Sequence, residues 1–347
     1  MELEIELKLT APSNAGLLIE QKLLPQLGYS VTKNVVQLSN YYFDTEQRTL
    51  RKNDIGLRIR GNGQQLEQTL KTAGKSVGGL HQRPEYNVQL ADKEAGQTVV
   101  PNLSLFDKSA WPLGFDISAA QHEISTLFIT DFERHIYLLD VNQSTQIEMV
   151  WDLGSVSANG KSEPICEIEL ELKKGSTSEI FGLAKKLLQV MYLAIGTDSK
   201  AARGYRLADN LVTVAPNVQP ITENNLTAGQ FVKAIENGLS CLQYFSAQLS
   251  RQYSFSSVEK IAAVIQHLGL GFSLYEQAKI DMQADAIYQR IVKFSDNWQK
   301  LLADLPNMQQ HSQRESAVDA LLFQAEVTQL QLDIVQFSFA QNRAVNN

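Results

Sequence analysis

The chain has 347 residues, 44% of them hydrophobic and 20% charged, with a formal net charge of −7. That is enough apolar material for two domains with separate cores, and the negative balance excludes general binding to nucleic acids or anionic membranes, which requires a broad positive field. Cys166 and Cys241 are far apart and lack metal-type spacing, so they read as reduced core residues. The chain enters a strand at Glu2 without the basic and apolar regions of a signal peptide. Apolar stretches such as Leu268 to Leu274 are too short to span a bilayer. The expected location is the cytosol.

In chain order, Glu4-Ile5-Glu6-Leu7-Lys8-Leu9 alternates charged and apolar residues with the period of a strand, which puts Glu4, Glu6 and Lys8 on one face. A helix is expected from Ser13 to Gln26, capped by Ser13 and ended near Pro25. Gly56-Leu57-Arg58-Ile59-Arg60 puts two arginines on one face, and Gly61-Asn62-Gly63 reads as the hairpin turn into the strand carrying Glu67, Thr69 and Lys71. Arg83, Glu85 and Asn87 alternate in the same way, as do Glu148 and Asp152. Glu167-Ile168-Glu169-Leu170-Glu171-Leu172 then repeats the acidic pattern of the N-terminus. A second helix is expected over Ser178 to Ile195, ended by Gly196.

A linker at 213–221, with Pro216 and Pro220, separates a domain over 1–212 from one over 222–347. Beyond it helical periodicity takes over, with helices expected near 227–249, 256–282, 284–304 and 312–342. Nine Lys and Arg stand there against twelve Asp and Glu, unclustered, as in a plain helical bundle.

A one-sided antiparallel sheet also shows water a polar face. Here, however, acid-only strands and arginine-bearing strands are segregated, and only two helices are available to cover an open sheet. The fold expected is α+β: a closed antiparallel β-barrel with its charges turned into the lumen and flanking helices outside, followed by an all-α helical bundle. Unpaired ions out of water cost several kcal/mol each, so such a lumen is expected to hold a charged ligand with its own metal ions. Arg and Lys suit phosphate oxygens, and the acids suit Mg²⁺ or Mn²⁺. No Gly-x-x-x-x-Gly-Lys-Ser/Thr loop is present, which argues against a P-loop enzyme.

Glu4-x-Glu6-x-Lys8, Tyr41-Tyr42-Phe43-Asp44-Thr45, Gly56-Leu57-Arg58-Ile59-Arg60, Lys71, Arg134, Asp152, Glu167-Ile168-Glu169 and Ser199-Lys200-Ala201-Ala202-Arg203-Gly204-Tyr205 together resemble the CYTH domain of the triphosphate tunnel metalloenzymes, over residues 1 to about 210. The resemblance implies an eight-stranded tunnel that binds a linear triphosphate with divalent metal. It further implies a substrate-binding set of Lys8, Arg58, Arg60, Lys71, Arg134, Lys200 and Arg203, and a metal set of Glu4, Glu6, Asp152, Glu167 and Glu169. Glu171 lies on the same strand face and is added to the metal set, while Glu4, Glu6 and Lys8 are the catalytic candidates. Thr227-Ala228-Gly229-Gln230-Phe231 resembles the start of a CHAD domain. The basic helix usual there is missing, because Val258 to Tyr275 carries only Lys260 and His267, so the module looks shortened and degenerate. A packing or dimerising role is expected of it.

The activity implied is metal-dependent hydrolysis of inorganic triphosphate to diphosphate and phosphate. A class IV adenylate cyclase, a thiamine or nucleoside triphosphatase, and a non-catalytic polyphosphate-binding module are the alternatives.

Overall fold

The computed structural model describes residues 2–61, 66–90, 99–276, 278 and 281–346, without the side chains of 343–346. It divides into two compact units, Met1–Ile180 with Asp198–Thr213, and Phe181–Thr197 with Val214–Asn347.

Nine strands build the first unit: β1 (Glu2–Thr10), β2 (Ser30–Asp44), β3 (Gly56–Gly61), β4 (Leu66–Lys71), β5 (Lys75–Val77), β6 (Leu80–Leu90), β7 (Ser125–Asn142), β8 (Thr145–Ala158) and β9 (Lys161–Lys174). Eight of them run in the order β1-β9-β8-β7-β2-β3-β4-β6, and β6 returns to β1, so the sheet closes on itself. Closure leaves these strands without a free edge. The barrel expected from the charge pattern is present. The turn at Asn62 and Gly63 lies outside the described residues, although β3 and β4 do pair antiparallel from Gly61 and Leu66. Strand β5 adds a short hairpin to β6 through Gly78 (φ 50°) and Gly79 (φ 86°), left-handed conformations that suit glycine in a two-residue loop.

The alternation sorts side chains as the sequence suggests. Leu7, Leu9, Met149, Ile168 and Leu170 are buried on the outer face. Leu57, Ile59 and Leu70 also face outward, into a core completed by Leu103, Phe106, Ala110 and Trp111 from the segment before β7. Trp151 lies against Gly16, where a Cβ atom would come within 2.3 Å of its ring. That contact requires the glycine.

Both helix expectations for this part of the chain need correction. The N-terminal helix starts at Ala15 with Asn14 as an N-cap that makes no side-chain bond, so Ser13 is not the cap. Its middle widens into a π turn, Ile19–Leu23, and Pro25 sits inside the final turn, Leu24–Leu27. The wide turn contains Gln21, whose carbonyl the Pro25 ring would meet in a regular α-helix. Gly28 (φ 65°) ends the helix. The helix expected to reach Ile195 spans Thr177–Leu188, and its last turn tightens as Val190 N donates to Leu187 O at 3.1 Å.

At one end of the barrel the inner face turns apolar, with Leu38, Phe128, Phe132 and Val156, and helix Lys200–Ala208 packs there through Tyr205 and Ala208. Gly204 allows the approach, since a Cβ atom would lie 2.1 Å from the Phe128 ring. Tyr205 Oη donates to Asp44 Oδ2 at 2.7 Å. Asp44 also accepts from the backbone N–H groups of Thr45, Leu50 and Arg51 at 2.7, 2.9 and 3.1 Å. This fully bonded carboxylate fixes both the end of β2 and the helix.

The second unit is mainly helical among its described residues, with a two-residue strand at Ala194–Ile195 and helices Ala228–Leu249, Phe255–Leu274, Met282–Asp304, His311–Leu322 and Ala325–Asn346. Thr227 and Gln230 form a capping box on the first of these. Phe231 stacks on Tyr275 at 4.4 Å and meets Phe272 and Phe337 edge-on, and the Trp298 indole donates to Val258 O at 3.0 Å. The helix expected over 256–282 stops at Leu274, and that over 312–342 breaks at Phe323, which has non-helical backbone angles. No Gly or Pro marks the second break, so residue periodicity runs straight through it.

Candidate active site

The barrel encloses a cavity of about 230 Å³ lined by side chains from its strands and by Ser199, Lys200 and Ala201. Ten of the residues singled out from sequence reach it: Glu4, Glu6, Lys8, Arg58, Arg60, Lys71, Arg134, Glu169, Glu171 and Lys200. Asp152 and Glu167 sit behind its wall, 0% and 3% exposed. Arg203 does not line it, and instead holds Pro164 O at 3.0 Å and Glu167 at 3.3 Å.

The sheet order places the acid-bearing strands β1, β9 and β8 side by side, with Arg134 on β7 and Arg58 and Arg60 on β3 further round. Among the described lining residues, eight glutamates face eight lysines and arginines. Many of these charges pair with one another across the lumen, and those that do not are the groups left for a ligand.

The deepest cluster holds Asp152, Glu167 and Glu169, with carboxylate oxygens within 4.8 Å of one another. Arg134 clamps Asp152 with two bonds, at 2.8 and 2.7 Å, and reaches Glu169 at 2.9 Å. Lys200 contacts Asp152, Glu167 and Glu169 at 2.6, 2.5 and 3.0 Å. Lys8 bonds Glu167 at 2.9 Å and also pairs with Glu169. Burial alone would raise these three carboxyl pKa values, but the neighbouring cations outweigh it and hold all three below the usual range.

Towards β6, Lys71 bridges Glu4 at 2.5 Å and Glu85 at 3.0 Å. Burial, opposed by Lys71 and supported by Glu6 and Glu85, pushes the Glu4 carboxyl up to about 7. Burial acts upward on Glu85 too, yet Lys71 and Arg58 bring it down to about 2. Glu171 is raised by burial, with Glu148 beside it and Lys173 in opposition. Glu6 has no hydrogen-bond or ion-pair partner among the described residues.

The basic wall has its own exception. The Arg60 guanidinium lacks a carboxylate partner within 4.0 Å among the described residues, and its one bond runs from Nε to Asn40 Oδ1 at 2.9 Å. Burial first, then the Arg58 and Arg134 charges, lower its pKa to about 10. Arg58 reaches Glu85 only at 3.8 Å, and its buried Nε has no partner. The lumen thus offers open guanidinium groups on one wall and under-neutralised carboxylates, Glu4, Glu6 and Glu171, on the other.

Four participants were not singled out as site residues. Glu85 lies inside the lumen, as the His81-x-Arg83-x-Glu85-x-Asn87 alternation signals. Glu148 and Lys173 join Glu171. Asn40 carries no sequence signal for its contact with Arg60.

The described residues contain no helix long and apolar enough to cross a membrane. A family model, the CYTH domain, matches residues 2–205. An inorganic triphosphatase from Haemophilus influenzae is 36% identical over 205 residues, or 59% of this chain and 54% of that protein, so the chain spans about half the length of this curated relative. Among solved structures, a candidate adenylyl cyclase from Hippeastrum with a dominant triphosphatase activity is 22% identical, covering 60% of this chain and 97% of its own, with a TM-score of 0.43. A candidate adenylate cyclase from Bacillus halodurans is 21% identical, covering 58% and 98%, with a TM-score of 0.36. At those scores the two structural likenesses carry no weight for function.

Proposed function

This chain belongs to the CYTH domain family, and from that membership we propose that it is a metal-dependent hydrolase that splits inorganic triphosphate into diphosphate and phosphate inside its barrel. The observation that carries the reading is Arg60, a lumen guanidinium beside Arg58 with no carboxylate partner among the described residues. A buried cation in that state favours an anion, and a guanidinium matches phosphoryl oxygens.

Within this reading Arg58, Arg60 and Lys71 bind the polyphosphate, Lys8 and Lys200 hold its inner end, and Arg134 is shared between substrate and Asp152. Arg203 then acts through Glu167. The metal set divides. The triad of Asp152, Glu167 and Glu169, whose oxygens lie close enough to hold an ion, is occupied here by ammonium and guanidinium groups. By contrast, Glu6 has no ion pair among the described residues, and Glu4 and Glu171 share theirs with Glu85 and Glu148, so these three hard oxygen donors fit Mg²⁺ or Mn²⁺. When bound there, such an ion neutralises phosphoryl oxygens and lowers the pKa of a coordinated water. Glu6, with no ion-pair partner among the described residues, is placed to take the proton of an attacking water.

We take the helical unit as a shortened CHAD-like module that packs or dimerises and does not bind polyphosphate, and the chain as cytoplasmic and free of nucleic acid. No aromatic platform for a nucleobase is apparent among the described cavity walls, where Tyr42 is stacked on Phe128 at 4.4 Å. Phosphate release from triphosphate, with cyclic AMP scored when ATP is supplied, tests the assignment: cyclic AMP as the product would move it to a cyclase.

A further inference from the structure

Two arginines of the lumen sit in matching settings with opposite outcomes. Arg134 on β7 is the cross-strand register partner of Asp152 on β8, and the carboxylate holds it with two bonds. Arg60 on β3 is the register partner of Asn40 on β2, and the amide holds it with one. Asn40 is itself fixed, because its Nδ2 donates to Thr130 Oγ1 at 2.9 Å on the next strand, and both residues are wholly buried. Glu67, the register partner of Arg60 on the other side, accepts instead from Gln89 at 2.6 Å.

We propose that Asn40, braced by Thr130, is a positioning residue that orients the Arg60 guanidinium towards the lumen without neutralising it, so that its charge stays available to a polyphosphate anion. An aspartate here would fill the same space and accept the same bond, but would turn Arg60 into a second closed pair like Arg134–Asp152. An alanine would leave Arg60 free to swing. Carbonyl oxygen and amide nitrogen are both needed, one facing Arg60 and the other Thr130, and Asn supplies both at this length. The inference rests on the triphosphate reading of the lumen and adds to it the residue that keeps the anion site open.

The test compares Asn40→Asp, Asn40→Ala, Arg60→Ala and the double variant Asn40→Asp/Arg60→Ala in the full chain, with kcat and KM for inorganic triphosphate in Mg²⁺. Calorimetric titration with triphosphate in chelator and thermal unfolding accompany the kinetics. Asn40→Asp is expected to raise KM about tenfold or more, the scale of a charged hydrogen bond, with kcat and the melting temperature little changed, and to add nothing once Arg60 is gone. If it fails to fold, the folded fraction of Asn40→Ala carries the test through the same rise in KM. An unchanged KM, or a full additional loss in the double variant, overturns the proposal. A wild-type chain that binds triphosphate without hydrolysing it refutes the enzymatic reading alone, since loss of binding in Asn40→Asp still supports the clamp. A wild-type chain that does not bind triphosphate removes both.

Discussion

Glu6 on β1 and Glu171 on β9 lie directly opposite each other, and Glu171 in turn opposes Glu148 on β8. Register partners have Cβ atoms roughly 5 Å apart, so three carboxylates form one row on the lumen wall. Lys173 answers two of them, at 2.7 and 3.9 Å, and Glu6 has no such partner among the described residues. Like charges this close repel unless a cation joins them. Glu6→Gln is therefore expected to abolish turnover, by at least about a hundredfold, while raising stability slightly in chelator. An unfolded Glu6→Gln chain by circular dichroism would reassign the residue to structure.

Arg58 makes only a long ion pair with a carboxylate, 3.8 Å from Glu85, and is otherwise held by Tyr42. Its loss removes one of the two cations that hold Glu85 low and leaves Lys71, at 3.0 Å, to balance that carboxylate when no ligand is bound. Arg58→Ala should raise KM by about ten- to a hundredfold with a smaller change in kcat, and an equal fall in kcat at constant KM would place its contact in the transition state instead.

Lys200 has the opposite character. It touches three carboxylates and is 7% exposed, so Lys200→Met leaves buried acids without their counter-charge. A loss of about 3–5 kcal/mol is expected in urea unfolding, and near-wild-type stability would mean the acids simply take up protons.

Much of this was legible beforehand. Strict alternation with segregated charge fixes which residues face the lumen, since a one-residue slip would reverse every side chain. The pairing inside the lumen was not legible, because spacing along a strand says nothing about whether Lys8 meets Glu167 or a ligand. The bond between Asp44 and Tyr205 spans 161 positions of sequence. The break at Phe323 carries no Gly or Pro. Such features depend on tertiary neighbours.

The link between Asp44 and Tyr205 positions Lys200 from behind. Tyr205→Phe leaves a buried carboxylate oxygen with one bond fewer and should cost about 1–3 kcal/mol. Gly204→Ala must push helix Lys200–Ala208 off the Phe128 ring, and should lower activity even where the chain stays folded. Full activity in a stable Gly204→Ala chain would show that the position of Lys200 is not critical.

Stability should depend on pH in two opposed limbs. Glu4, raised to about 7 from an ordinary 4.5, binds a proton in the folded chain before the unfolded one does. Its contribution is therefore gained as pH falls from about 7 towards 4.5. Glu85, lowered to about 2, and Glu167 and Glu169, also lowered, resist protons that the unfolded chain accepts, so their contribution is lost as pH falls below about 4.5. Urea midpoints in chelator should peak at mildly acidic pH, and Glu4→Gln should flatten the upper limb alone. An unaltered upper limb in that variant would assign it to other groups.

The most direct measurement is phosphate release from inorganic triphosphate, ATP and thiamine triphosphate side by side, each with Mg²⁺, Mn²⁺ or chelator. Release that requires metal and is fastest from inorganic triphosphate is the expected result. Turnover that persists in chelator, or a clear preference for a nucleotide, would contradict the account.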